Sequence, residues 1–365
     1  MNKGKILFIH QNLRADTGGS NCQKRNLSGL QILYGTENVF TINMDPVLYH
    51  PSQKFYKRVI RKILGFDPDY YTFIKKNILN LIIDKNINIV WIDSSTLGNF
   101  AKLIKNKFRE ITVITFFHNF EYKFYSDKNK NLNKKFFRKK QEIYRARKNE
   151  INAIRFSDKK IALSLNEKRN IENYYQKSLT DILPISLPDK YNETNIKSNN
   201  PKKIENLLFV GSYFFGNVEG IKWFIESILP HINCHLTVIG NGMEKLIEDI
   251  KPNNNLRILG YTENLQDEYL RCDAVIMPII SGAGMKVKVA EALMYGKFIF
   301  GTPNALEGYE IPDGLFSICS TPKDFIDSIN NTCVMKYNYL LRETYLNKYS
   351  FESTLTFLKN IMFNY

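Results

Sequence analysis

Short apolar segments rich in β-branched residues alternate with segments of helical periodicity along the whole chain. In the first half, strands are predicted at 5–10, 38–44, 87–93, 111–117 and 159–164. In the second half, they are predicted at 206–212, 235–242, 256–261, 273–279, 297–303 and 315–319. Alternation of this kind is typical of parallel sheets covered by helices on both faces. The sequence therefore predicts an α/β protein.

A polar segment at 188–203 separates the two series of strands. It is rich in Asn, Lys and Pro and has almost no apolar content, as an interdomain linker has. The length of 365 residues also favours two domains. We expect Rossmann-like, doubly wound domains at 1–187 and 204–348, followed by a C-terminal helix at 349–365. Because ligands of open α/β sheets bind at the carboxyl ends of the strands, the two domains are expected to face each other across a cleft.

The net charge of +15 is confined to the first half of the chain. Residues 1–190 contain 35 Lys and Arg against 17 Asp and Glu, whereas residues 191–365 contain 16 against 19. Basic residues interleaved with aromatic ones cluster at 54–64 and at 128–148. Such segments favour contact with an anionic membrane surface, and solvated helix faces are the alternative interpretation. A nucleic-acid partner is not expected, although the basic charge keeps a nucleic-acid-binding protein as a competing hypothesis.

Cysteine usage and hydropathy limit the class of protein further. The five cysteines are widely spaced and contain no Cys-x-x-Cys pair, which indicates reduced, mostly buried thiols. No apolar run reaches the length of a membrane-spanning helix, and the first residues are too polar for a signal peptide. We expect a cytoplasmic protein with peripheral contact at the inner membrane face.

The segment 273–308 carries the strongest sign of a binding site. A predicted strand is followed by a glycine-containing turn and by a helix with Lys286 and Lys288 in its first turn. Lysine at a helix N-terminus opposes the helix dipole unless an anion binds there, and a diphosphate would be such an anion. Glu291, one turn further on, is placed to accept hydrogen bonds from sugar hydroxyls. The alternative is an ordinary exposed start of a helix.

Two adjacent glycines, Gly18 and Gly19, follow the first predicted strand at the expected start of a helix. Glycine allows a ligand to approach the backbone closely, and the N-terminus of a helix attracts phosphate. A tight strand-to-helix turn explains the same residues.

Several segments together resemble the family-4 type of glycosyltransferases with the GT-B fold, in particular members of bacterial polysaccharide synthesis. In the second half, the resemblance runs through 209–230, 236–242, 259–279 and 282–308. In the first half, it is looser and rests on Gly18 and Gly19, on 118–125 and on 163–167.

The resemblance implies a role for each matching residue. Glu291 would hold the ribose of a nucleotide-sugar donor, and Lys286 and Lys288 would face its diphosphate. Further donor-binding positions would be Gly18, Gly211, Gly284, Thr302, Ala305, Leu306 and Glu307. The catalytic candidates are Gly19, which would approach the reaction centre, His118, which would contact the donor sugar, and Lys286. The alternative for His118 is a buried histidine whose hydrogen bonds are satisfied within the protein near a strand end. The resemblance further implies that the helix at 349–365 crosses back onto the first domain.

The function implied is transfer of a sugar from a nucleoside diphosphate to a saccharide or lipid-linked saccharide, with retention at the anomeric carbon. Because lysines can supply the positive charge that the leaving diphosphate needs, no metal and no cofactor are expected. One position departs from the family: Ala283 stands where many members carry a carboxylate that contacts the transferred sugar. The alternatives are a sugar-nucleotide epimerase of the same fold and a catalytically inactive binding subunit.

Overall fold

A computed structural model describes most of the chain, which divides into two compact units. The first unit contains residues 1–183 and 357–365, and the second contains residues 184–356. The described residues are 4–11, 18–44, 56, 68–130, 136–192, 200–281 and 284–363.

The first unit is built on a six-stranded sheet in which all the pairings are parallel. Its strands are β1 (Ile6–His10), β2 (Val39–Asn43), β3 (Ile89–Ile92), β4 (Thr112–Phe117), β5 (Lys159–Ala162) and β6 (Asp181–Ile182). Its helices are α1 (Gly18–Tyr34), α2 (Pro68–Lys85), α3 (Gly98–Lys107), α4 (Glu121–Lys130), α5 (Phe136–Phe156) and α6 (Leu165–Tyr175). The strand order is β2-β1-β3-β4-β5-β6, so the direction of winding reverses between β1 and β3.

The second unit has a parallel six-stranded sheet of its own, in the order β10-β9-β8-β11-β12-β13. These strands are β8 (Asn206–Val210), β9 (His235–Ile239), β10 (Leu256–Leu259), β11 (Ala274–Met277), β12 (Phe298–Gly301) and β13 (Phe316–Ile318). The helices are α7 (Phe215–Ser227), α8 (Leu265–Arg271), α9 (Val287–Met294), α10 (Pro303–Leu306), α11 (Pro322–Asn331), α12 (Tyr339–Thr344) and α13 (Phe351–Phe363), the last of which ends in the first unit. Winding reverses between β8 and β11.

The sheets form because their strands are apolar on both faces. All five residues of β1 and all four of β11 are buried, as expected for strands covered by helices on both sides. Glycine lets a helix approach the second sheet closely: a Cβ at Gly220 in α7 would lie 1.7 Å from the carbonyl oxygen of Pro278. Gly98 has the same role between α3 and α5, where a Cβ would lie 2.0 Å from the carbonyl oxygen of Asn149.

The eleven strands predicted from the sequence are confirmed, and the α/β fold class with them. The sequence reading missed β6 and a small antiparallel pair formed by β7 (Lys202–Lys203) and β14 (Cys333–Val334). Each of these three strands has only two residues, which is too short to show periodicity. Because β7 lies within 188–203, the described end of the segment expected to be a linker is paired with another strand.

The end of α13 packs within the first unit. The ring of Phe363 stacks on Tyr34 with 5.4 Å between centroids, and Lys159 Nζ donates to the carbonyl oxygen of Ile361. None of the described helices is both long and apolar enough to span a bilayer.

Candidate functional site

The winding reversal of the second sheet brings Lys288 next to the segment that follows β8. Lys288 Nζ donates to Asn217 Oδ1 at 2.6 Å and lies 4.6 Å from the centroid of the Phe209 ring. A Cβ at Gly211 would lie 3.0 Å from this nitrogen, so the glycine leaves room for the ammonium group. Ligands of doubly wound sheets bind at this position, beyond the carboxyl ends of the strands. The predicted donor-binding residues Gly211 and Lys288 therefore lie together.

The charge of Lys288 is poorly stabilised in the absence of a ligand. Burial is the main cause that lowers the pKa of its ammonium group to about 7. The charge of Glu291 acts against this shift, and the charge of Lys286 has a smaller effect that adds to it. The nearby hydrogen-bond acceptor is a neutral amide oxygen, which compensates burial less well than a carboxylate does. A bound anion would restore the stability of the charged form.

Glu291 lies one turn further along α9 and is partly buried. Its carboxylate accepts a long hydrogen bond of 3.4 Å from the hydroxyl of Tyr269. Burial raises the pKa of Glu291, and the charges of Lys190 and Lys288 and the Tyr269 hydroxyl act against this rise. The Tyr269 ring is itself fixed by stacking on Tyr295 at 4.4 Å. The carboxylate is thus held in place and has acceptor capacity left for ligand hydroxyls.

Lys286 occupies the N-cap position of α9, two residues before Lys288. Its Nζ donates to the carbonyl oxygen of Gly284 at 2.5 Å, and its own carbonyl accepts from the Tyr309 hydroxyl at 2.7 Å. Gly284 has a φ of +73°, a left-handed conformation that suits glycine. Gly282 and Ala283, which complete the turn, lie outside the described residues.

The loop after β12 carries the remaining predicted donor-binding residues. Thr302 caps α10 by accepting from the backbone N–H of Ala305, and its hydroxyl donates to the carbonyl oxygen of Ile279. Ala305 and Leu306 are buried, and Glu307 is half-buried. Thr302 therefore ties the loop to the segment that leads from β11 towards Lys286. A direct ligand contact from Ala305 or Leu306 would have to use the backbone.

In the first unit, Gly18 and Gly19 open α1. Gly19 is exposed, and a Cβ placed there would meet no other atom within 4 Å. Residues 12–17, which connect β1 to this helix, lie outside the described residues. The structure thus places Gly19 at the surface of a helix N-terminus, and its predicted approach to a reaction centre stays a prediction.

His118 follows β4 and belongs to a buried polar network centred on Asp93. Its Nε2 lies 2.9 Å from the backbone oxygen of Asp93 and 3.1 Å from Oδ2. Asp93 is fully buried and also accepts from Trp91 Nε1 and Asn26 Nδ2, both at 2.7 Å. Burial by itself would lower the pKa of His118, but the hydrogen bond and charge of Asp93, together with Cys22, raise it to about 10. His118 is therefore an imidazolium paired with a buried carboxylate.

Asp93, the buried partner of His118, was not singled out by the sequence analysis. The signal was present, because a carboxylate directly follows the apolar strand β3. His10, the last residue of β1, gives the same signal and is also buried. Burial lowers the pKa of His10, with the Gln11 backbone and Asp93 acting in the opposite direction.

A second buried carboxylate, Glu150, fixes the helix that follows His118. It accepts from the backbone N–H groups of Glu121 at 2.7 Å and Tyr122 at 3.0 Å, the first residues of α4. The Tyr175 hydroxyl adds a third hydrogen bond at 2.8 Å. Burial raises the pKa of Glu150 to about 8 despite these donors. The start of α4, and with it the loop at His118, is held by a residue on α5.

The candidate metal ligands and the basic segments lie partly within the described residues. Among the described residues, His, Cys, Asp and Glu form no group of three that could hold a metal ion. Asp67 and Asp69 have an Asp-x-Asp spacing, and their side chains lie outside the described part. The basic segment 54–64 lies outside it as well, apart from Tyr56, and in 128–148 the side chains are described from Arg138 onwards.

Two doubly wound parallel sheets in one chain are the architecture of the GT-B fold. Residues 204–333 match the family described as glycosyl transferases group 1. The second unit thus contains a region that matches glycosyl transferases group 1, which supports the predicted class of enzyme.

The curated and solved relatives are distant. A 44.6 kDa protein of the cps region of Klebsiella pneumoniae is 26% identical over 140 residues, which is 34% of each chain, so the match spans about a third of that relative. Sucrose-phosphate synthase from Thermosynechococcus elongatus has a TM-score of 0.68 at 12% identity, covering 98% of both chains. The lipopolysaccharide outer core galactosyltransferase WaaB has a TM-score of 0.66 at 14% identity, covering 98% of this chain and 99% of that one. Anabaena HepE in complex with UDP has a TM-score of 0.65 at 11% identity, with the same coverage. These similarities confirm the GT-B fold over nearly the whole chain.

Proposed function

We propose that the protein transfers a sugar from a nucleoside diphosphate to a saccharide or lipid-linked saccharide during synthesis of a cell-surface polysaccharide. The observation that carries the proposal is Lys288, a partly buried lysine without a carboxylate partner in the described structure, at the winding reversal of a glycosyl transferase group 1 domain. The UDP bound by the structurally similar HepE and the cps-region origin of the Klebsiella relative support the nucleotide donor and the polysaccharide context.

The chemistry of the proposed reaction follows from charge. When the bond between sugar and diphosphate breaks, negative charge grows on the leaving phosphate, and preorganised cations in a partly desolvated site stabilise it. Lys288, Lys286 and the N-terminus of α9 would supply this positive charge, and Glu291 would accept hydrogen bonds from the ribose. We include in the proposal that the reaction needs no metal and retains the anomeric configuration. Activity that survives EDTA would support the first part, and NMR of the product's anomeric proton would test the second.

A thermal-shift screen against UDP, GDP, dTDP and CMP tests the nucleotide site. One nucleotide should raise the melting temperature, since a ligand that binds the native state stabilises it by mass action. Glu291→Ala should remove most of this shift, whereas Glu248→Ala, which changes an exposed carboxylate of the same unit, should keep it. The absence of a shift with every nucleotide would contradict the proposal and favour a nucleic-acid-binding protein.

Transfer itself is tested by mass spectrometry of lipid and oligosaccharide extracts incubated with nucleotide sugars. A mass gain of one sugar residue identifies donor and acceptor together. Nucleotide binding without transfer to any extract would instead indicate a binding subunit, and conversion of the nucleotide sugar into an isomer would indicate an epimerase.

We also propose peripheral contact with anionic membranes through residues 54–64 and 128–148. Basic residues near a negatively charged surface contribute about 1 kcal/mol each. The protein should float with vesicles that contain phosphatidylglycerol and should dissociate at high salt. Equal recovery with neutral vesicles, insensitive to salt, would contradict this contact.

A further inference from the structure

The turn that leads into α9 contains little that would fix the start of this helix locally. Lys286 occupies the N-cap position, where Ser, Thr, Asp or Asn usually accepts a hydrogen bond from the first turn. An ammonium group has no acceptor and cannot make that bond. Gly284, two residues earlier, adopts a left-handed conformation and does not stiffen the chain as other residues would. The start of α9 therefore depends on contacts from other parts of the second unit.

Tyr309 provides such a contact. Its hydroxyl donates to the carbonyl oxygen of Lys286 at 2.7 Å. The same oxygen accepts from the backbone N–H of Val289 at 2.9 Å, within the first turn of α9. A carbonyl oxygen has two lone pairs, so both can be used by these two donors. The Tyr309 hydroxyl thus bonds to the atom at which the helix begins.

The side chain of Tyr309 is itself held in place. Gly308 has a φ of +84°, and this left-handed residue turns the chain after α10. The backbone N–H of Tyr309 then donates to the carbonyl oxygen of Leu306 at 3.1 Å. The Tyr309 ring packs on the ring of Tyr349 with 4.9 Å between centroids, and the Tyr349 hydroxyl accepts from the backbone N–H of Glu310 at 2.8 Å. Both the backbone and the ring of Tyr309 are therefore fixed.

The loop after β12 bonds to both ends of the turn that precedes α9. Before the turn, the Thr302 hydroxyl donates to the carbonyl oxygen of Ile279. After the turn, the Tyr309 hydroxyl donates to Lys286. Cations stabilise a growing negative charge best when their positions are set before the reaction. A loop that is attached at both ends of the turn meets this requirement.

We propose that Tyr309 is a positioning residue of the donor site, whose hydroxyl holds the start of α9 in the orientation in which Lys286 and Lys288 meet a diphosphate. This inference rests on the proposed function, since it requires a nucleoside diphosphate at this helix. Tyr309 acts through the backbone of Lys286 and needs no contact with the ligand. Its effect belongs to the diphosphate part of binding and leaves the nucleoside part unchanged.

The test compares Tyr309→Phe, which removes the hydroxyl and keeps the ring, with the matched control Tyr345→Phe. The Tyr345 hydroxyl donates to the carbonyl oxygen of Leu187 at 2.9 Å, and this oxygen also keeps a backbone donor, the N–H of Phe351 at 3.0 Å. Calorimetry and NMR titration measure the affinities for UDP, GDP and dTDP and for each corresponding nucleoside. Tyr309→Phe should weaken binding of the diphosphate about fivefold, as expected for one hydrogen bond, and should bind the nucleoside as the wild type does. Tyr345→Phe should bind both ligands as the wild type does.

The outcomes separate the two proposals. If the wild type binds a nucleoside diphosphate and Tyr309→Phe binds it equally well, or weakens diphosphate and nucleoside by the same factor, the role of Tyr309 is refuted and the proposed function stands. If the wild type binds no nucleotide, both are refuted. The melting temperature gives an independent check, because each variant loses one bond from a hydroxyl to a carbonyl oxygen. A merely structural Tyr309 would lower the melting temperature as Tyr345→Phe does and leave the ratio of the two affinities unchanged.

Discussion

Lys288 makes the affinity for a nucleoside diphosphate depend on pH in a predictable direction. In the free protein, burial lowers the pKa of Lys288 to about 7. The charge of Glu291 opposes this shift, and the weaker effect of the Lys286 charge adds to it. A bound diphosphate would favour the charged ammonium and raise this pKa. Above pH 7, binding must therefore be accompanied by uptake of a proton, and affinity should fall as the pH rises.

The size of this pH effect on affinity follows from the pKa of Lys288. The pKa of Lys288 in the free protein is about 7. Well above this pH, its charged fraction therefore falls about tenfold for each pH unit, which corresponds to about 1.4 kcal/mol per unit. Between pH 7 and 8.5, the dissociation constant should rise by about 15-fold if the bound form stays protonated. The stability of the free protein changes in the other direction. Unfolded lysine keeps its proton up to a pH of about 10.4, so this group makes the folded state more stable as the pH rises from 7 towards 10.

Calorimetric titration with UDP, or with whichever nucleotide the screen identifies, tests the prediction at pH 7 to 8.5. Buffers that differ in ionisation enthalpy count the protons taken up, which should approach one per nucleotide at pH 8.5. The second ionisation of phosphate lies near pH 6 and is complete in this range. Lys288→Met should bind more weakly with no pH dependence, and Lys251→Met, which changes an exposed lysine, should behave as the wild type. A wild-type affinity that stays constant over this range, with no proton uptake, would refute the reasoning.

Two further perturbations address the first unit and the packing of the second. Asp93→Asn should lower the pKa of His118 from about 10, because burial is then no longer opposed by the carboxylate. NMR titration of the imidazole measures this change, and a value still above 9 would show that Asp93 is not its cause. Gly220→Ala should reduce the free energy of unfolding by about 1–3 kcal/mol, since its Cβ would overlap the carbonyl oxygen of Pro278. Denaturant unfolding measures the loss, and Gly19→Ala, where the space is open, should show none; equal losses in both would contradict the packing argument.

The sequence alone leads to the prediction of a donor site at Lys286 and Lys288 because the conflict between their charge and the helix dipole is local. Two lysines at the start of a helix interact unfavourably with its dipole, and this interaction can be recognised from the sequence without knowing the fold. The different hydrogen-bond partners of Lys286 and Lys288 could not be predicted from the sequence. Residues two apart on a helix point in different directions, and the structure directs Lys288 to Asn217 while Lys286 bonds to Gly284 in its own turn.

The polar network of the first unit depends on the order of the strands and was therefore harder to predict. Asp93 and His118 come from β3 and β4, which are neighbours in the sheet, and Asn26 comes from α1. Periodicity identifies each strand but does not give the pairing, so a lone histidine at a strand end kept two interpretations. The pairing with Asp93 shows that the ring is held within the protein, and direct contact with a donor sugar stays a prediction.

The cations at the ends of the two sheets, Lys288 and His118, differ in how their charge is compensated. This difference affects which ligands can bind beside them. Lys288 loses part of its charge because a neutral amide is its hydrogen-bond partner, so an anion would complete its site. The positive charge of His118 is stabilised by the carboxylate of Asp93, so His118 would add little to the binding energy of an anion. A negatively charged nucleotide would therefore gain more from Lys288 in the second unit than from His118 in the first. We therefore expect the nucleotide to bind near Lys288 and not near His118.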